Sequence, residues 1–125
     1  MTIIVLDASV TVRTKIQDLL LDMDSESLDI ELYEDAREAL EFIRSNEVGL
    51  IFSSIETVGM DGISFVDMLL RDNPQLSSRL FIVTSQTHNE NIEGIKDAGA
   101  KRFIKKPINE EYFKHFVIPE IKKLL

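Results

Sequence analysis

The side chains of this chain that are able to do chemistry stand where short apolar runs stop. Thr2–Leu6 is followed by Asp7-Ala8-Ser9, Leu50–Ser53 by Ser54-Ile55-Glu56, Leu80–Val83 by Thr84-Ser85, and Arg102–Ile104 by Lys105-Lys106-Pro107. The set is an acid, hydroxyls and a lysine. Ser54 makes a poor nucleophile as it stands, because an alcohol needs a base to take its proton. Neither histidine is placed for that: His88 belongs to the loop after the fourth run and His115 to the last helical pattern, and both read as surface residues. Asp7-Ala8-Ser9-Val10-Thr11 lacks the glycines of a phosphate-cradling loop, and Ser54 is not in a Gly-x-Ser-x-Gly elbow. An FMN site would want glycine and aromatic walls that the first loop does not offer.

The elements that must position these residues alternate short apolar runs with longer helical patterns, which predicts a parallel sheet with crossover helices. Strands are expected at Thr2–Leu6, Asp29–Tyr33, Leu50–Ser53, Leu80–Val83 and Arg102–Ile104, mostly buried on both faces, the second more polar than the rest. A first helix over Val10–Met23 would bury Val12, Ile16, Leu19, Leu20 and Met23. Asp35 would cap a second through Ser45, with Ala39, Leu40, Phe42 and Ile43 inward. A third follows Asp61-Gly62, carries Ile63, Phe65, Val66, Leu69 and Leu70, and stops before Asn73-Pro74. A fourth, Asn89–Ala98, ends at Gly99 and buries Ile92 and Ile95. The last starts at an Asn109 cap, and Pro119 inside it should kink or divide it. Single methionines, Met23, Met60 and Met68, read as core filler. Five such units make an α/β fold: a doubly wound five-stranded parallel sheet with helices on both faces and a ligand crevice at the carboxyl ends of its strands.

Composition narrows the partners. The 125 residues fit one domain over 1–125, and a net charge of −8 argues against nucleic acid or an anionic membrane surface. There is no cysteine, hence no disulfide or thiolate site, which fits a cytoplasmic setting. The amino-terminal run meets Asp7 too soon to be a signal peptide or a span.

Taken in order, the strand-end residues, the Gly59-Met60-Asp61-Gly62 turn and Asp97-Ala98-Gly99-Ala100 resemble the CheY-like receiver domains of bacterial two-component signalling, across essentially the whole chain. The resemblance implies that Asp7 matches the first of two adjacent acids, Ala8 the second, and Ser54 the aspartate that accepts a phosphoryl group. It likewise implies that Thr84 is the switch hydroxyl, Lys106 the lysine before proline, and Phe103 the aromatic whose rotation accompanies activation. In that family Mg²⁺ takes carboxylates from the second acid and the acceptor, plus a backbone carbonyl two places after the acceptor. Ala8 and Ser54 remove both carboxylates, so no metal or other cofactor, and in particular no strong Mg²⁺ site, is expected. Asp7 then reads as a structural acid paired with Lys106, with Glu56 either completing the pair or facing solvent. Thr84 reads as a switch hydroxyl or a simple cap of the next turn. Val58 replaces the usual proline, so its loop is expected to be more flexible.

The residues and the resemblance together predict an atypical, standalone receiver that is not an enzyme and binds a protein partner without an aspartyl-phosphate switch. The partner would be a histidine kinase, a chemotaxis component or another regulator. The family's partner face points to Ile95, Lys101, Phe103, Lys105, Tyr112 and the chain near Pro119. Two rivals stand beside this reading: altered phosphoryl chemistry at Ser54, and a small-molecule module using the vacated crevice. The oligomeric state is left open.

Overall fold

The apolar runs form five parallel strands, β1 (Thr2–Leu6), β2 (Asp29–Tyr33), β3 (Leu50–Ser54), β4 (Leu80–Thr84) and β5 (Arg102–Lys105), in a computed structural model that describes residues 1–23, 28–86 and 90–124. Their order in the sheet is β2-β1-β3-β4-β5. The chain therefore winds one way from β1 to β2 and the other way from β3 onward, and a crevice opens where the winding reverses. Leu6 pairs with Ser53, Ser54 with Val83 and Thr84 with Lys105, so the polar strand ends lie side by side. β3, β4 and β5 each run one residue past the expected end. β2 pairs only with β1, and this edge position leaves its residues half-buried or exposed and explains its polar composition.

The helices are α1 (Val10–Leu21), α2 (Ala36–Ser45), α3 (Gly62–Asp72), α4 (Glu90–Asp97) and α5, residues 110–124. Strand alternation sorts the core into two layers. Ile3, Val5, Phe52 and Val83 face α1 and α5, where they meet Ile16, Leu20, Phe113 and Ile121. Ile4, Leu6, Ile51 and Ile82 face α2, α3 and α4, and meet Leu40, Phe65, Leu69 and Ile95. Each such side chain contributes about 1.5–3 kcal/mol on burial. Together they can hold Asp7, Ser53, Ser54 and Thr84, the buried polar residues, out of water.

The caps act as their residue types suggest. Asp35 accepts from the N–H groups of Arg37 and Glu38, and Asn109 from that of Tyr112. Gly99, at φ +116°, turns the chain after α4 while the Ala100 N–H donates to the Ile95 carbonyl. Two details between the elements differ from expectation. α1 stops at Leu21, although Met23 is still buried. A 3₁₀ segment, Pro74–Arg79, joins α3 to β4. The expected start of α4 at Asn89, and His88, lie outside the described residues. Phe42 faces inward as expected, half-buried beside Tyr33 at the edge of the core.

As expected, α5 is irregular near Pro119: a turn over Glu110–Tyr112 passes through a wider one into Ile118–Leu124. The helix widens over Phe113–Val117, where the Ile118 N–H donates to the Phe113 carbonyl five residues back, and Ile118 keeps helical angles of φ −57° and ψ −46°. The looser turn just ahead of the proline absorbs the N–H that proline lacks and the bulk of its ring.

Candidate functional site

Lys106 leaves β5 beside the ends of β1 and β3, and every polar group around it is already spoken for. Its Nζ lies 2.8 Å from Asp7 Oδ2, 3.0 Å from Ser54 Oγ and 3.7 Å from Glu56 Oε2. Asp7 is 2% exposed and Ser54 1% exposed, so the pairing takes place out of water. The Asp7 contact is an ion pair rather than an aligned hydrogen bond. The other Asp7 oxygen accepts from the Ser9 N–H at 2.9 Å, and the Asp7 carbonyl from Arg13 at 2.6 Å. Ser54 Oγ donates to Glu56 Oε2 at 3.1 Å and accepts from the Glu56 N–H at 3.1 Å. Burial pushes the Glu56 carboxyl up, but its hydrogen bonds from Ser54 and Gln86 and the charge of Lys106 outweigh that and hold it below the usual carboxylate range.

Among the described residues the one group placed to take the Ser54 proton is the Glu56 carboxylate, and the hydrogen bonds and charge that lower its pKa make it a weak base. Lys106 is engaged as a cation by two carboxylates and offers no lone pair to the hydroxyl, and His115 is on the outer face of α5 beside Glu111. The residues do not fit Mg²⁺ either. A hard cation that demands octahedral oxygen ligands would find Ala8 and Ser54 where carboxylates are needed. The remaining acid, Asp7, is paired with Lys106, and the Glu56 carbonyl accepts from the Ala8 N–H at 3.1 Å. Among the described residues no three acids or histidines come together as a ligand set.

Thr84 acts as a local cap: its Oγ1 accepts from the Gln86 N–H at 3.0 Å. The loop carrying Val58 is tied down rather than loose, because the Val58 N–H donates to the Glu34 carbonyl at 3.0 Å and its carbonyl accepts from the Ala36 N–H at 2.9 Å. A proline could not make the first of these bonds. Gly59, at φ +83°, packs so closely on the Asp35 carboxylate that a Cβ would collide with it.

Beside the crevice a groove of about 910 Å³ runs between α4 and α5 over β5, starting at Thr84 and Gln86 and lined further by Lys96, Phe103, Tyr112 and Phe116. Phe103 is half-buried with the Lys96 ammonium 5.6 Å from its ring centre. Tyr112 stacks on Phe116 at 5.1 Å, and Phe116 is 62% exposed. Lys101 and Lys105 are exposed, as a partner face requires. Ile95 is not part of that face. It is 0% exposed and packs in the core, because three residues from Ile92 it shares the sheet-facing side of α4. Phe116, four residues after Tyr112, and Gln86 escaped the reading of the sequence; only the helical spacing of the first carried a signal.

Comparison with known proteins agrees with this geometry. Residues 3–117 match the family model described as the response regulator receiver domain. A cyclic di-GMP phosphodiesterase of Thermotoga maritima is 35% identical over 78 residues, which are 62% of this chain and 20% of that protein, so the chain spans about a fifth of that relative. The signal receiver domain of an HD domain-containing protein from Pseudomonas fluorescens Pf-5 superposes with a TM-score of 0.82 at 20% identity, covering 98% of this chain and 88% of that one. The chemotaxis protein CheY4 of Vibrio cholerae superposes with a TM-score of 0.79 at 23% identity, covering 99% and 98%. No helix among the described residues is long and apolar enough to cross a membrane.

Proposed function

The chain belongs to the response regulator receiver domain family of two-component signalling, and from that premise we propose that it works as a protein–protein interaction module that needs neither aspartyl phosphorylation nor Mg²⁺. The observation that carries this reading is the closed set around Lys106. Asp7, the Ser54 hydroxyl and Glu56 supply from within the protein the oxygens that a phosphoryl group would otherwise bring to the lysine. At 1% exposure Ser54 is also out of reach of a serine kinase, and a crevice whose polar atoms bind one another has little to offer a small ligand. The module has no catalytic role of its own and acts in the cytoplasm. Its partner, a histidine kinase, a chemotaxis component or another regulator, takes the groove of Phe103, Tyr112 and Phe116 with Lys101 and Lys105 nearby.

Intact-mass analysis tests the reading, after incubation with Mg²⁺ and a small phosphodonor or a panel of histidine kinases. The expected result is no added phosphoryl group. A gain that disappears in Ser54→Ala would show a covalent switch of altered chemistry instead.

A further inference from the structure

The Glu56 carboxylate faces two ways. One oxygen is seated on Ser54 Oγ at 3.1 Å and on Lys106 at 3.7 Å, the other accepts from Gln86 Nε2 at 3.3 Å, and Gln86 Oε1 accepts from Asn91 Nδ2 at 3.2 Å. Asn91 stands in the first turn of α4. We infer that Glu56 is a side-chain latch, which ties the crevice at the end of β3 to α4 through Gln86 and Asn91.

The two ends of this chain of contacts differ in kind. The inner end is fixed: Ser54 is buried and its hydroxyl is held by Lys106, which is itself held by Asp7. The outer end consists of long, exposed hydrogen bonds, each worth little in water. A firm anchor with a weak outer link is what a releasable contact requires. Gln86 is gripped at both its backbone and its side chain, since its N–H goes to Thr84 Oγ1 while its amide goes to Glu56. Thr84 and Gln86 also line the groove that runs on to Phe103, Tyr112 and Phe116. A partner that fills the groove therefore meets the latch, and by reciprocity whatever loosens the latch alters the groove.

The inference rests on the reading that Ser54 carries no phosphoryl group, because an esterified Ser54 has no proton to donate to Glu56. Hydrogen exchange of the α4 amides tests it, in the protein without phosphodonor, in Glu56→Ala, in Gln86→Ala, in the double variant, and in Glu41→Ala, an exposed glutamate on α2, as control. Each single variant should exchange about twofold faster in α4, the equilibrium value of a weak, exposed hydrogen bond. The double variant should be no faster than either single one, and the control should match the parent. Unchanged exchange in the single variants, or effects that multiply in the double, would overturn the latch. Gln86→Ala leaves the contacts among Ser54, Lys106 and Asp7 in place, so it reads the latch even if Glu56→Ala folds poorly. The intact mass of each sample separates the two conclusions. A phosphoryl group on Ser54 would sink the phosphorylation-independent function, whereas unaltered α4 exchange in an unmodified protein would sink only the latch.

Discussion

The crevice and the groove adjoin at Thr84 and Gln86 and are opposite in kind. In the crevice the polar atoms of Asp7, Ser54, Glu56 and Lys106 answer one another, with the innermost of them out of water. In the groove Tyr112 and Phe116 cover each other on one side only, Phe103 is half-buried, and Lys96 stands over its ring. A site whose groups are satisfied from within needs no ligand, whereas uncovered aromatic surface in a chain of net charge −8 gains by being covered. On the function proposed above, the contrast separates two capacities of a receiver, with the input chemistry closed off and the binding surface kept.

The largest expected effect breaks the crevice. Lys106→Ala leaves Asp7 buried opposite no cation, and removing one partner of a buried pair costs about 3 kcal/mol. Urea unfolding should show that loss, and a shift below about 1 kcal/mol would mean that water reaches Asp7 and that the crevice is open. A smaller effect tests the groove. Phe116→Ala removes a side chain that is mostly in solvent, so the unfolding free energy should stay within about 0.5 kcal/mol of the parent. For any partner seated in the groove the same change should weaken binding about tenfold or more, as for an aromatic anchor. A destabilised Phe116→Ala with unchanged partner affinity would invert the comparison.

Much of the fold and of the crevice was legible in the sequence because parallel sheets leave few choices. Once the five apolar runs are strands, Asp7, Ser54, Thr84 and Lys106 must come together at their carboxyl ends, and the ion pair of Asp7 with Lys106 follows from charge alone. The caps at Asp35 and Asn109 followed from residue type. Other features depend on backbone bonds that composition does not reveal. The tethering of Val58 to Glu34 and Ala36 and the wide form that the irregularity before Pro119 takes are of this kind. Ile95 is different, because its spacing from Ile92 already placed it inward, and only the resemblance had set it on the partner face. Gln86 and Asn91 gave no signal, as long polar side chains on a rim could equally well point to water.

The smallest effect is the most discriminating between a closed crevice and an open one. Glu56 is held below the ordinary carboxylate range against the upward push of its burial, by Ser54, Gln86 and Lys106. A depressed folded-state value means that the unfolded chain takes up the proton first, so this contribution is fully present above the ordinary carboxylate value and is lost as pH falls through the folded one. The Glu56 side chain is 53% exposed, and solvent screening keeps the contribution under about 1 kcal/mol. Urea unfolding at several acidic pH values, in the parent and in Glu56→Gln, isolates it as the part of the slope that the substitution removes. Parallel curves for the two proteins would mean that Glu56 points to solvent in both states. Lys106 would then be balanced by Asp7 alone, and the crevice would be the more open of the two regions on its Ser54 side.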